Sequence, residues 1–394
     1  MCIRDSTDPA RVFNHSWIGS TGGVDNEVLR RADFAMQRDG TLFCVGENNG
    51  AGSAREPLMS CGFNSMSVGL TNGQHSAGNT PSGVDGLGRM KPDIVAPGTA
   101  TSYATPVVGA AAALLYQTAA TAPYVQNANR ARGVTIKAAL LAGASRGPAW
   151  SNNAPQSGAN RGITTRPLDP VYGCGTVNVD RAHRIITADE ATARATADAA
   201  AADPPMTSGV MWDVEPVQAT ASVQQLHYRL DLPVAGDVSV VATWNRNMTT
   251  SSFASAGAPA VANMTLRIQR IGDDGQVTAL SGNAGVGVFA SGNVVSASSV
   301  DNVEHLYVRG LSRGRYVVSV NRESGAASAA STLAVAAIVE PRARLGDLDG
   351  NDLVNGDDLG ILLTEWGAGS PSADLNLDGN VNGDDLGMLL TAWG

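Results

Sequence analysis

Aromatic residues are scarce in this 394-residue chain, with Phe, Trp and Tyr together making up 5%. A core built on large rings is thereby excluded, and packing falls to small residues, among them 45 glycines. Four cysteines are too few for a disulfide framework. Cys44 and Cys61 are open either to pairing across neighbouring strands or to standing as buried free thiols. No uninterrupted apolar run is long enough to span a membrane as a helix. Lysine and arginine are absent from Leu345 to Gly394, where nine Asp and one Glu stand. The net charge of −9 therefore lies in the tail, and the rest of the chain is close to neutral. With no basic patch, nucleic acid has nothing to hold. The five histidines, His15, His75, His183, His227 and His305, lie in no base-like motif.

What is present begins with Lys91-Pro92-Asp93-Ile94-Val95-Ala96-Pro97-Gly98 leading to Thr101-Ser102-Tyr103-Ala104-Thr105-Pro106. The small apolar run from Val107 to Leu115 predicts a tightly packed helix with Pro106 in its first turn. Ser102 then lies at the helix mouth, where unpaired N–H groups and the helix dipole favour developing negative charge. The plain alternative is that Ser102 only caps the helix.

Four further segments follow a fixed order: Asn14-His15-Ser16-Trp17-Ile18-Gly19, Phe43 to Gly50, Ser65-Met66-Ser67-Val68-Gly69, and Tyr172 to Val179. With the serine string, they make the region from about Val12 to Ala188 resemble the C-terminal part of a subtilisin-like serine protease (subtilase) catalytic domain. The resemblance implies an α/β fold, Ser102 as the acyl-forming nucleophile, and Asn48 as the oxyanion donor beside the Ser102 N–H, with Asn49 as the alternative. It also implies protein or peptide substrates and secretion. In the family the acid and base precede the Asn14 strand, in an Asp-Ser/Thr-Gly and a His-Gly-Thr segment, and neither occurs here. The expectation is a chain truncated at its N-terminus, with Met1–Ser6 an artefactual leader, and inactive as written. Gly98 to Ser102 is also short, with Ala100-Thr101 where the family places Gly-Thr.

The acidic tail repeats at an offset of 27 residues. Asp347, Asp349, Asn351, the Leu353 carbonyl, Asn355 and Asp358 stand at positions 1, 3, 5, 7, 9 and 12 of one loop. Asp374, Asn376, Asp378, the Asn380 carbonyl, Asn382 and Asp385 match them in the second. Oxygen ligands at this spacing suit calcium, and the apolar residue at position 8 pins paired loops together. Position 6 is Gly379 in the second loop but Asp352 in the first, which makes the first the poorer site. Each loop leads into a single helix: Leu359, Leu362, Leu363 and Trp366 in one, Leu386, Leu389, Leu390 and Trp393 in the other, most of them expected in a mutual core. The pattern resembles a type I dockerin, which implies a cohesin-like or cell-surface partner.

Between these ends, Val210 to Val339 reads as short strands separated by Gly, Asn and Ser turns, an all-β sandwich of roughly seven or eight strands. The turn Gly310 to Tyr316 resembles that of accessory jelly-roll domains found after secreted peptidases. The expected architecture is multi-domain: a leader at 1–6, a partial α/β subtilase domain at 7–188, an Ala/Asp-rich linker at 189–207, an accessory sandwich at 208–341, and a small α dockerin-like calcium module at 345–394. Two functions follow, an extracellular serine endopeptidase or a non-catalytic scaffold that works through its tail.

Overall fold

The computed structural model describes residues 10–206, 208–217, 224–323, 331–351, 353–368 and 372–394. Met1–Ser6 and Asp352 lie outside the described residues. The first unit comprises β1 (Val12–His15), α1 (Asp25–Asp39), β2 (Leu42–Gly46), β3 (Met66–Leu70), a small ribbon of β4 (Gly78–Asn79) and β5 (Met90–Lys91), then β6 (Ile94–Ala96), α2 (Thr101–Ala119) and α3 (Gly133–Gly143). Strands β1, β2, β3 and β6 form a parallel sheet in that order, with Val12 opposite Leu42, Cys44 opposite Met66 and Val68 opposite Ile94.

Parallel strands are covered on both faces, so they read as unbroken apolar runs. Here Leu42 and Cys44 point into the core shared with α2 and α3, while Phe43 and Val45 turn to Leu29, Ala32 and Met36 of α1. Gly46 lets α2 approach the end of β2, because a Cβ there would lie 2.9 Å from Thr105 Oγ1. Pro106 lies inside α2 and not in its first turn. The described cysteines Cys44, Cys61 and Cys174 are buried and free.

The remaining elements are β7 (Ile163–Thr164), α4 (Val179–Thr187), α5 (Ala197–Ala201), β8 (Val210–Val217), β9 (Gln225–Leu232), β10 (Gly236–Trp244), β11 (Met264–Ile271), β12 (Val277–Ala279), β13 (Ser291–Gly292), β14 (Val295–Ser296), β15 (Val303–Leu311), β16 (Gly314–Arg322), β17 (Ser331–Pro341), α6 (Gly356–Thr364) and α7 (Gly383–Thr391). One sheet runs β13-β15-β10-β17-β8 and the other β7-β14-β11-β16-β9, with β12 paired on β11. Residues of both sheets, among them Val240, Leu306, Ala337, Leu266, Val318 and Leu230, make one core.

Helix α3 is buried along its whole length because it lies between the parallel sheet and the five-stranded sheet. The five-stranded sheet is thus covered on both faces, which explains why β10 and β17 lack alternation. Two expected boundaries shift. Residues 163–164, assigned to the first domain, pair in parallel with β14. The segment 189–207, read as a linker, bridges to Trp212 and His227 and buries Ala200 of α5 against Ile271 and Val317. Its alanines are small enough to lie flat on the strands, so composition alone did not keep it in solvent.

Candidate functional site

Ser102 sits at the second position of α2, and the N-cap is Ala100, whose side chain has no oxygen to give. The cap comes from another element: Asn49 Oδ1 accepts from the Thr101 N–H at 2.8 Å. Thr101 Oγ1 donates to the Glu47 carbonyl at 2.6 Å, fixing the helix mouth to the end of β2. The Ser102 N–H meets no protein acceptor among the described residues. Ser102 therefore caps nothing, and its own amide remains a free donor.

Asn49 Oδ1 is committed to Thr101, and its Nδ2, on an exposed residue, has no hydrogen bond among the described residues. Asn48 is used otherwise. Its Nδ2 donates to the Ala54 carbonyl at 3.0 Å, and its backbone pairs with Ser76. The geometry brings Asn49, not Asn48, to the serine helix. An extended backbone sends successive side chains to opposite sides, and only the second asparagine of the pair faces Thr101.

Buried Glu47 holds this turn in place, pairing with Arg55 Nη1 and accepting from Ser76 Oγ at 3.0 Å. His75 is buried too. Its Nδ1 accepts from the Leu70 N–H at 3.0 Å and its Nε2 lies 3.0 Å from the Val171 carbonyl, so the ring is neutral with its proton on Nε2. Burial pushes its pKa down to about 4, although the Val171 carbonyl pulls the other way.

Ser102 Oγ donates to the Ser16 carbonyl at 3.1 Å, and no imidazole or carboxylate bonds to it. His15 meets Trp17 edge-on and lies tilted against Phe43, and burial lowers its pKa. His183 is exposed on α4, while His227 and His305 belong to the double-sheet unit. Among the described residues no side chain that could act as a base bonds to the serine.

The tail holds the second cluster. Asp347, Asp349 and Asp358 each bring a carboxylate oxygen within 4.8 Å of the others. Burial works against the Asp358 charge, but N–H groups of Asn355, Leu348 and Asp349 hold its pKa below the usual range. Asp349 is raised, by desolvation first and by the neighbouring Asp358 and Asp347 charges. In the second loop Asp385 accepts from Asn376 and Asn382, Asp374 from Asp378 and Gly379, and Asp378 from Asn380.

Asn355 and Asn382 begin α6 and α7 with capping boxes closed by Asp358 and Asp385. The position-8 residues Val354 and Val381 are buried together, yet each pairs with the end of the opposite helix: Gly394 N–H donates to Val354, and Gly367 N–H to Val381. Leu362 and Leu389 join them. Leu363, Trp366, Leu390 and Trp393, expected mostly in the mutual core, are exposed, because a pair of nine-residue helices turns only one stripe inward.

The site thus consists of a serine at the N-terminus of a helix packed on a parallel sheet, with the Asn49 side chain bonded to the same helix mouth. Residues 2–164 match the model of the Subtilase family, which supports a subtilase-type domain over that part of the chain. The match begins within the segment read as a leader and ends where β7 joins the second unit. No curated protein matches the chain.

Among solved structures, the Yersinia pseudotuberculosis-derived mitogen is 10% identical over 34% of this chain and 86% of its own, with a TM-score of 0.20. The periplasmic lysozyme inhibitor PliG of Aeromonas hydrophila is 10% identical over 34% and 87%, with a TM-score of 0.19. Scores this low carry no argument. No helix among the described residues is long and apolar enough to cross a membrane.

Proposed function

We propose that the chain is part of a secreted serine endopeptidase of the subtilase type, with Ser102 as nucleophile and the oxyanion held between the Ser102 N–H and Asn49 Nδ2. The observation that carries this reading is the pairing of Asn49 with Thr101, which leaves two free donors beside Ser102 Oγ. In the reaction, Oγ attacks the scissile carbonyl as a base removes its proton, and the carbonyl oxygen takes up the negative charge between the two donors. Water then releases the acyl group by the same route.

The reading requires a base and an orienting acid, and no imidazole or carboxylate among the described residues bonds to Ser102 Oγ. Two features support a place for them. Among the described residues strand β1 is the edge of a parallel sheet, an arrangement that ordinarily continues or is covered. Helix α2 leaves an apolar stripe bare on the same side, with Tyr103 66%, Val107 40% and Leu114 52% exposed. By itself the chain is then inactive, since losing the histidine alone removes nearly all turnover in subtilisin, where the loss was established.

The test is labelling with a fluorophosphonate, followed by peptide mapping. The chain as written stays unlabelled. Fused to a subtilase segment carrying both missing motifs, it is labelled at Ser102 and cleaves a peptide substrate. Turnover that survives Ser102→Ala would sink the assignment.

The tail is proposed to bind two calcium ions, with the twelve loop positions named above as ligands. Its support is the convergence of Asp347, Asp349 and Asp358 without a cationic side chain of the tail's own. A bound ion would offset the mutual repulsion and draw the loops onto their helices. The four exposed side chains Leu363, Trp366, Leu390 and Trp393 favour a second reading in which this module docks on a cohesin-like partner. That reading also serves a non-catalytic scaffold. Retention of the whole chain by a cohesin in calcium, and its release by EDTA, is the expected result.

A further inference from the structure

We propose that Ser16 is the positioning residue of the nucleophile, through a latch that Pro106 makes necessary. In a helix the amide of residue 106 donates to the carbonyl of residue 102. Proline has no N–H, so the Ser102 carbonyl loses its helical partner at the turn that carries the nucleophile. Ser16 Oγ takes that place, donating to the Ser102 carbonyl at 3.0 Å. In return Ser102 Oγ donates to the Ser16 carbonyl at 3.1 Å. Asn14 Nδ2 donates to Ser16 Oγ at 2.9 Å and so turns the Ser16 proton toward the helix.

The two opposed bonds tie residues 86 positions apart. One end is the residue that directly follows β1 and the other is the first turn of α2, so the end of the strand and the nucleophile hold one geometry. The backbone bond keeps the Ser102 N–H aimed beside Asn49. The side-chain bond parks the Ser102 hydroxyl proton on the Ser16 carbonyl, an acceptor too weak to remove it, until a base replaces that bond. Gly109, about two turns further along α2, would place a Cβ only 3.8 Å from Val12 Cγ1 and 4.0 Å from Asn14 Oδ1, so the helix lies close enough for the latch to close.

The proposal takes its functional meaning from Ser102 as nucleophile, but its geometry can be read without catalysis. In the full chain carrying C2S and S102C, iodoacetamide reports on position 102 alone, because Cys44, Cys61 and Cys174 are buried. Burial also pushes the Cys44 and Cys174 thiols up to about 12. A thiolate at a helix N-terminus is stabilised by the free N–H groups, so its alkylation rate follows the alignment of that turn.

S16A leaves a carbonyl unpaired and slows alkylation roughly five- to tenfold at neutral pH. S16T keeps the hydroxyl and the rate. N14A, at an exposed position, slows it about two- to threefold and guards against a misfolded S16A. The decisive variant is P106A placed on S16A, which returns an amide to position 106 and restores the rate to within about twofold. Unchanged rates in S16A or N14A, or an S16A loss that P106A does not reverse, would overturn the latch. Absence of peptidase activity leaves these rates untouched, so the two readings fail separately.

Discussion

Where the parallel-sheet unit meets the five-stranded sheet, Arg30, Asp33, Asp85 and Arg246 are buried and bonded to one another, whereas the tail gathers Asp347, Asp349 and Asp358 with no Lys or Arg of its own. In the first region burial raises the cost of each charge, but the two guanidinium groups still hold Asp85 below the usual carboxylate range. The cluster is closed, and Asn64 and Asn302 extend it by bonding across to the Arg246 and Trp244 backbone and to Phe63. In the tail the like charges receive from backbone N–H groups and from the Asn351 side-chain amide. A structure that answers charge with charge offsets its own repulsion, whereas one that stacks like charges would be stabilised by an added cation. The difference predicts which half of the molecule depends on its solvent.

The largest effect expected is on the tail. Chelation by EDTA unfolds residues 345–394 and leaves the two sheet units intact, because the small core around Val354, Leu362, Val381 and Leu389 cannot alone outweigh the chain entropy. Circular dichroism and backbone amide spectra that do not change on chelation would remove the distinction altogether. Arg246→Ala tests the other side. It strips the shared partner from Asp33 and Asp85 and lowers stability by roughly 3–5 kcal/mol, read as a shift in the denaturant midpoint with the slope unchanged. A loss below about 1 kcal/mol would show that the cluster opens to water.

pH sharpens the comparison further. His75 has its pKa depressed to about 4, so its contribution is present above the unfolded value near 6.5. It is lost as pH falls from about 6.5 through 4, a change of roughly 3 kcal/mol for a shift of this size. His75→Gln would flatten the stability curve in that window, and an unaltered slope would contradict the assignment. Asn49→Ala removes the cap on Thr101 and costs about 1 kcal/mol, measurable as a small drop in melting temperature. In a completed enzyme the same change lowers turnover by roughly 10²–10³, the order established for such a donor in subtilisin itself and not obtained from this chain.

The serine helix was legible in the sequence because its signals are local: a small-residue apolar run, a proline and a preceding glycine turn. So were β9 and β11, whose ends follow the alternation from Gln225 to Leu232 and from Met264 to Ile271. Asn49 was ranked second to Asn48, since adjacent asparagines differ only in which side of the backbone they face, and the sequence does not print that. Ser16 was quoted without a role. Pro106, four residues after Ser102, was the available signal, for a proline there leaves a carbonyl in want of a donor. Arg30, Asp33, Asp85 and Arg246 were not legible at all, as they are brought together across as many as 213 positions. Likewise β7 and the segment 189–207 owe their places to tertiary pairing and not to any preference of their own.

The central claim is that Ser102 and Asn49 form the catalytic half of a peptidase site. Its most direct test is fluorophosphonate labelling of the chain fused to a segment bearing the Asp-Ser/Thr-Gly and His-Gly-Thr motifs, with the adduct located by mass spectrometry. The account predicts one adduct, on Ser102, formed far more slowly in Asn49→Ala and absent from the chain as written. An active fusion labelled elsewhere, or labelled at Ser102 at the same rate in Asn49→Ala, would contradict it.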